Sequence, residues 1–281
     1  MKVIGFTAAA LLAAYALPAT AQERDGGFSG VYVGAAGGYD VQPNDGGRSR
    51  VLFDRNLDGE YGDVVRTGSG ADAFGPGFCG GRATSQLSPA NGGRCAKDKD
   101  DWAYYGRVGF DAQRGRIVVG VVGEFGTTNI TDGVSAFSST PASYVFNRGI
   151  DWEAGVRARA GYTPNDTTLF YGTFGPGYAR IDRAFGSTNT TNTFEGSGKR
   201  NQFGFQGGGG VEQRLGRHFS IGLEYIYHQY QDDDYVVRAT GPAGTPFTNA
   251  NNGGSASGTD FIRSDDKFRW HSLRATAAFR F

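Results

Sequence analysis

The stretch Ile150–Thr163, IDWEAGVRARAGYT, alternates two kinds of residue at every second position. Its even-numbered positions are apolar from Trp152 to Tyr162. Its odd-numbered positions carry the charged residues Asp151, Glu153, Arg157 and Arg159. Because successive side chains of a β-strand point to opposite faces, this strand would have one apolar and one charged face. A soluble core would expel such charges, whereas a membrane barrel turns them toward its interior.

Alternating segments of this kind recur along the chain and predict eight strands. The other seven are Phe28–Val41, Trp102–Gln113, Ile117–Ile130, Thr167–Ile181, Asn201–Arg214, Phe219–Tyr235 and Lys267–Phe281. Short links at 114–116, 164–166 and 215–218 alternate with four long polar connections. In the fifth strand, Pro176 between two glycines predicts a bulge or kink.

The even strand number and the alternation of short and long links are typical of outer-membrane barrels. We therefore predict an all-β fold, an eight-stranded antiparallel up-and-down transmembrane β-barrel with long external loops and short periplasmic turns. Composition agrees: of 281 residues, 47 are glycine and 38 are aromatic. Absence of a G-X-Y period excludes collagen, and the aromatic content excludes a disordered chain. The 28 basic and 28 acidic residues leave no basic excess for nucleic acid.

Export is predicted from the N-terminus. Residues 1–21 combine Lys2, an apolar stretch and the small-x-small pattern Ala19-Thr20-Ala21, which is typical of a cleaved signal peptide. Residues 22–281 would then form the barrel domain, with residues 42–101 as one large external loop. That loop is poor in apolar residues, so we expect it to have little core of its own.

The closing strand, which ends in Phe279-Arg280-Phe281, resembles those of the outer membrane protein β-barrel family, the opacity-like and porin-family small barrels of proteobacteria. The segments 51–54, 76–79 and 211–216 are similar to those of alphaproteobacterial members. The resemblance implies an outer-membrane location among lipid and lipopolysaccharide. It also implies that Phe279 and Phe281 form the signal recognised by the barrel assembly machinery.

The charged faces of the strands predict a polar lumen. We expect a salt-bridge network of Arg107, Glu124, Glu153, Arg157, Arg159, Glu212, Glu224, Arg274 and Arg280. Eight strands enclose an interior that side chains just fill, which favours a closed plug. A small selective pore through a rearrangeable network is the alternative.

Three tryptophans, Trp102, Trp152 and Trp270, each open an even-numbered strand and are predicted to be interface aromatics at the external end. Trp102 and Trp152 share the parity of the lipid face. Trp270 does not, so either a bulge intervenes or its ring packs inside the mouth.

Catalysis is not expected from the histidines His218, His228 and His271. His271 and Ser272 are adjacent on one strand and face opposite sides, and His228 has no serine two positions away. No Gly-x-Ser-x-Gly elbow occurs either. The protein is therefore predicted not to be an enzyme.

The first loop holds one metal-like pattern, in which Asp54, Asn56 and Asp58 precede Gly59. Oxygen ligands at alternating positions before glycine are typical of calcium loops. Position twelve is Val65 and not the usual acid, so a turn held by local hydrogen bonds is the alternative. No other cofactor is predicted.

The two cysteines, Cys79 and Cys95, lie in one Gly-rich segment of the same loop. An oxidising compartment predicts that they form a disulfide.

For function, the sequence predicts a non-enzymatic protein with a structural or surface role in the cell envelope. One alternative is a narrow porin that passes small solutes. The other is an adhesin that uses the large first loop to contact an external ligand or host surface.

Overall fold

The computed structural model describes residues 27–43, 49–74, 95–96 and 98–281. The predicted signal peptide and Cys79 lie outside these residues. Within them, no helix has the length and apolarity needed to cross a membrane.

Thirteen strands and one short 3₁₀ turn (Ala250–Asn252) make up the described structure. The strands are β1 (Gly30–Val41), β2 (Val51–Asp54), β3 (Asp101–Arg114), β4 (Ile117–Thr128), β5 (Thr131–Ser138), β6 (Ala142–Asn165), β7 (Thr168–Ser187), β8 (Thr193–Ser197), β9 (Asn201–Leu215), β10 (Phe219–Gln231), β11 (Val236–Thr240), β12 (Thr259–Arg263) and β13 (Lys267–Arg280).

Eight of these strands close into the predicted antiparallel barrel. The ring runs β1–β3–β4–β6–β7–β9–β10–β13 and returns to β1 through the pair Val33↔Phe279. The three short turns join β3 to β4, β6 to β7 and β9 to β10. Gly115 and Gly216 take positive φ values of 61° and 84° in two of these turns, which glycine adopts without strain. The fold class predicted from the sequence is confirmed.

Strands β6 and β7 are longer than predicted, and the irregularities in their pairing lie at other residues than predicted. They extend above the barrel, where β6 pairs with β5 to form a hairpin. Pro176 stays in register with Phe205 on β9, so the predicted bulge there is wrong. The register between β6 and β7 shifts instead at two other places, between Ile150 and Trp152 and between Tyr162 and Asn165.

Above the long-loop end, the described residues 49–74, 131–149, 182–199 and 232–266 form a folded unit that we call the cap. Its four-stranded sheet has the order β2–β12–β11–β8, which brings together three of the connections between barrel strands. The cap core contains Val51, Phe53, Val65, Ala73, Phe74, Val134, Ala136, Ala142, Tyr144, Phe146, Val237, Ala239, Phe247 and Phe261. The first loop supplies Val51, Phe53, Val65, Ala73 and Phe74 to this core, so its apolar residues are buried against those of other loops and not in a core of its own.

Inside the barrel, glycine occupies wall positions against which a large aromatic side chain packs. A Cβ atom on Gly109 would lie 2.3 Å from the Tyr32 ring, and one on Gly126 would lie 2.4 Å from the Tyr105 ring. The glycine-rich wall therefore makes room for the bulky side chains that fill a narrow lumen.

The outer face of the barrel is apolar and ends in aromatic rings toward the cap. Val108, Val121 and Phe174 are more than 40% exposed, as expected of side chains that face lipid. Higher up, Phe125, Trp152, Tyr178 and Phe203 form a row of neighbouring rings whose centroids lie 5.8, 5.9 and 4.7 Å apart. Rows of exposed aromatic rings are typical of a membrane interface, and the interface role predicted for Trp152 stays a prediction.

Candidate functional site: the filled lumen

The centre of the lumen is built around the carboxylate of Glu124. Its Oε2 atom lies 2.7 Å from Nη1 of Arg157 and 3.1 Å from Nη1 of Arg274, and its Oε1 lies 3.3 Å from Nε of Arg107. Glu224 lies on the far wall and accepts from Arg107 at 3.3 Å and from Tyr171 at 3.0 Å. All these side chains are buried.

One central contact crosses the barrel. Glu224 and Arg274 are direct partners in the β10–β13 register, yet no ion pair joins them in the part of the chain that the structure describes. Arg274 reaches Glu124 on β4 instead. Its guanidinium also lies over the Tyr105 ring, 4.0 Å from the centroid. The network therefore ties opposite walls together.

A second tier closes the short-turn end. Asp111 pairs with Arg159 at 3.0 Å and with Arg280 at 2.8 Å. Glu212 pairs with the same two arginines, and its distance to Arg280 is 2.9 Å. Arg280 also donates to the carbonyl of Phe28, whose buried ring covers this end.

Above the centre, Glu153 is surrounded by tyrosine, glutamine and histidine side chains. Its carboxylate accepts from Tyr230 at 2.7 Å and from Gln206 at 3.0 Å, and it lies 3.1 Å from Nδ1 of His228. Tyr105 also donates to it. Among the described residues no arginine pairs with Glu153, so its predicted role as a salt-bridge partner of lumen arginines is corrected.

The same level holds a group that sequence reasoning missed. Nε2 of His228 lies 3.2 Å from Oγ of Ser272, and Nδ1 faces Glu153. Ser272 also donates to Asp40, and Arg274 contacts the same His228 nitrogen. Ser272 and His228 lie on different strands, β13 and β10, so spacing within one strand does not show that they meet. The signal in the sequence is that both residues are at inward-facing positions of adjacent strands. Ser272 pairs with Ile226, two residues from His228, so the two side chains are diagonal neighbours.

The mouth of the barrel is sealed by aromatic rings. Trp270 is fully buried and stacks on His228, with ring centroids 4.6 Å apart and planes 8° from parallel. Its ring also contacts Tyr230 and Phe268. Trp270 is therefore not an interface aromatic and packs inside the mouth. Trp102 is 54% exposed, and Trp152 belongs to the outer aromatic row.

A further ionic tier, which the sequence patterns did not predict, lies among cap residues next to the barrel, where Arg148 also donates to the carbonyl of Lys267 on β13. Arg148 pairs with Asp132 at 2.6 Å and with Asp232 at 2.7 Å. Arg263 reaches Asp132 at 2.6 Å, and Arg183 holds the other oxygen of Asp232. Burial raises the pKa of the Asp132 carboxyl, but the Arg148 and Arg263 guanidiniums and their hydrogen bonds outweigh it and hold the pKa below its ordinary value.

The metal-like segment forms a hydrogen-bonded turn. Asp54 accepts from the backbone amides of Leu57 at 2.6 Å and Gly59 at 2.8 Å, and Asn56 donates to Asp58 at 2.7 Å. The backbone amide of Glu60 and then the Asn56 side chain lower the pKa of Asp58. The described residues contain no cluster of three His, Cys, Asp or Glu side chains suited to a metal ion. These contacts are those of the turn alternative, and calcium binding stays a prediction.

Two other predicted features are placed only in part. Phe279 and Phe281 face outward at the short-turn end, with ring centroids 5.3 Å apart. Their recognition by the assembly machinery stays a prediction. The Cys79–Cys95 disulfide also stays a prediction, because Cys79 lies outside the described residues.

Comparison with known proteins identifies the family. A family model described as "Outer membrane protein beta-barrel domain" matches residues 7–241. The chain belongs to this family. It is an outer-membrane β-barrel protein.

Relatives in this family come from alphaproteobacteria. The chain is 33% identical over 160 residues to a 22 kDa outer membrane protein of Rhizobium leguminosarum, covering 56% of this chain and 65% of that one. It is 26% identical over 111 residues to a 31 kDa outer-membrane immunogenic protein of Brucella melitensis, covering 40% and 46%. The chain thus spans between about half and two thirds of the length of these relatives.

Among solved structures, the backbone aligns with that of OprG of Pseudomonas aeruginosa at 11% sequence identity and a TM-score of 0.46. The alignment covers 91% of this chain and 98% of OprG. The protease OmpT of Escherichia coli aligns at 8% identity and a TM-score of 0.41, covering 92% and 99%. Both scores are below 0.5. The chain's own strand pairing defines its fold.

Proposed function

We propose that the protein is a closed, non-enzymatic barrel with a structural and surface role in the cell envelope, in which the barrel anchors a rigid cap. The observation that carries the proposal is the filled lumen. Ionic tiers lie at the short-turn end, in the centre and at the base of the cap, and a layer of aromatic rings lies between the upper two.

The ionic tiers argue against a narrow porin. The arginines around Glu124 bridge opposite walls, and Phe28 and Trp270 cover the two ends. A solute would have to separate several buried ion pairs at once, and leaving one such charge unpaired costs about 3–5 kcal/mol. This barrier favours a plug over a rearrangeable network.

Ser272, His228 and Glu153 contact one another in the sequence nucleophile, base and orienting acid that hydrolases use. The surroundings of these three side chains do not suit hydrolysis. All three side chains are buried, and the Trp270 ring covers the imidazole. A hydrolase needs a substrate atom within about 3 Å of the nucleophile and donors for an oxyanion. Here the contacts of Ser272 are Asp40, Arg274 and His228. This supports a structural network.

The surface role rests on the cap. Loops of outer-membrane barrels at the long-loop end face the exterior. The cap core, drawn from several loops, would give them a fixed shape. The Brucella relative is named as immunogenic, which is consistent with a surface that antibodies reach. An adhesin is the second candidate, and its contact surface would be the whole cap and not one flexible loop.

Planar-bilayer recording tests the proposal. The purified full-length barrel should give no stable conductance steps under conditions where a general porin, reconstituted in parallel, conducts. Heat-modifiable migration on gels shows that the protein in the assay is folded. Reproducible nanosiemens steps from the folded protein would overturn the closed-lumen proposal and favour the porin.

A further inference from the structure

The outer wall of the barrel has a polar groove directly above the row of aromatic rings. It has a volume of about 390 Å³, and its outward-facing lining includes Thr127, Asn129, Thr131, Asn147, Asp151 and Asp182.

The groove exists because the strand pairing opens there. The β4–β6 ladder ends at the pair Gly126↔Glu153, and the β5–β6 ladder begins at Thr131↔Gly149. The register shift that leaves Asp151 unpaired falls in the same gap. The side chain of Thr127 spans part of this gap by donating to the carbonyl of Asp151 at 3.0 Å.

The height of the groove relative to the membrane follows from the sequence along β4. Phe125 belongs to the aromatic row and is 54% exposed, and Thr127 follows it on the same face. Two residues of a strand advance by roughly 6.6 Å. The groove therefore begins one step above the rings, where acyl chains give way to head groups.

Cations lie beside the groove, each next to one of its carboxylates. Arg180 lies 3.4 Å from Asp151, and Arg200 lies 3.7 Å from Asp182. All four side chains are between 42% and 66% exposed, so they are open to an outside ligand. Guanidinium groups suit phosphate, whereas Thr, Asn and Asp side chains suit sugar hydroxyls.

We propose that this groove binds the head group of a phosphorylated glycolipid in the outer leaflet. The sugar would lie among the Thr, Asn and Asp side chains, and Arg180 and Arg200 would contact its phosphates. The acyl chains would run down over the aromatic row, where Phe203 is 72% exposed. A groove that is polar above and aromatic below matches the two halves of such a lipid.

The test is native mass spectrometry of the folded, full-length protein in mild detergent, titrated with a diphosphorylated glucosamine glycolipid. The wild type should bind it saturably. The double variant R180Q/R200Q should bind at least tenfold more weakly. The matched control R269Q removes an arginine that is 42% exposed and paired with Asp265, away from the groove, and should bind like the wild type.

Two competitors identify the ligand class. Phosphatidylglycerol supplies phosphate and acyl chains without sugar, and the corresponding phosphorylated disaccharide supplies the head group without acyl chains. Both should bind much more weakly than the glycolipid. Equal binding of the glycolipid by wild type and R180Q/R200Q would overturn the proposal. So would equal binding of phosphatidylglycerol, which would indicate a general lipid interface, or of the disaccharide, which would indicate a soluble-sugar site.

Discussion

The cap core should respond sharply to loss of one central ring, Phe261. This side chain is fully buried on β12. Its ring centroid lies 4.9 Å from that of Phe53 and 5.0 Å from that of Phe247, and Tyr144 is also in contact. Phe261→Ala would leave a cavity where the first loop and the last loop meet.

The expected cost can be worked out from these contacts. Truncation of a buried Phe to Ala in a packed core costs about 3–5 kcal/mol. Since each 1.4 kcal/mol is a factor of ten, the population of opened cap should rise by roughly 2 to 3.6 powers of ten. The barrel should be unaffected, because its strand ladder closes without the cap.

The assay is limited proteolysis of the folded protein in detergent. When reclosing is faster than cleavage, the cleavage rate follows the population of the open form. Ile262→Ala is the matched control, since Ile262 is the next residue of β12, faces the other side and is only half-buried. It should change the cleavage rate much less. Heat-modifiable migration should be the same for both variants.

Equal cleavage rates for Phe261→Ala and Ile262→Ala would refute the reasoning, because the cap would then not be a cooperatively packed unit. Loss of heat-modifiable migration in Phe261→Ala would refute the independence of the barrel.

Three further predictions concern the ionic tiers and the first loop. Glu124→Gln should lower the temperature of the heat-modifiable shift, because three buried arginines share the Glu124 carboxylate and its loss costs about 3–5 kcal/mol. The control Glu195→Gln, at an exposed position, should leave that temperature unchanged. The folded pKa of Asp132 is depressed, so its stabilisation of the cap is present above the unfolded pKa of about 3.9 and is lost as pH falls through the folded value. Pepsin cleavage of the cap should therefore accelerate steeply below about pH 4, and Asp132→Asn should remove that step and be cleaved faster at pH 5; an unchanged profile in the variant would contradict the assignment. Cys79→Ser should leave the barrel heat-modifiable but make the first loop more sensitive to protease, since closing a loop of that size removes roughly 3 kcal/mol of chain entropy; detection of two free thiols in the folded wild type would contradict the disulfide.

The barrel wall could be predicted from the sequence because its determinants are local. The alternation in Ile150–Thr163 decides which side chains meet lipid and which meet the lumen, whatever the neighbouring strands are. Short turns also restrict the register of successive strands. The turn between β3 and β4 places Arg107 directly opposite Glu124, and both are predicted members of the lumen network.

Contacts across space were decided only by the tertiary structure. The curvature of the closed wall lets Arg274 reach Glu124 on a strand that is not its neighbour. The cap core joins Phe53 to Phe261, residues more than 200 positions apart, and no local pattern in either loop shows that they meet. A strand's faces are fixed by its own alternation, whereas the partners of a side chain in a lumen or a loop depend on where distant segments are carried when the barrel closes.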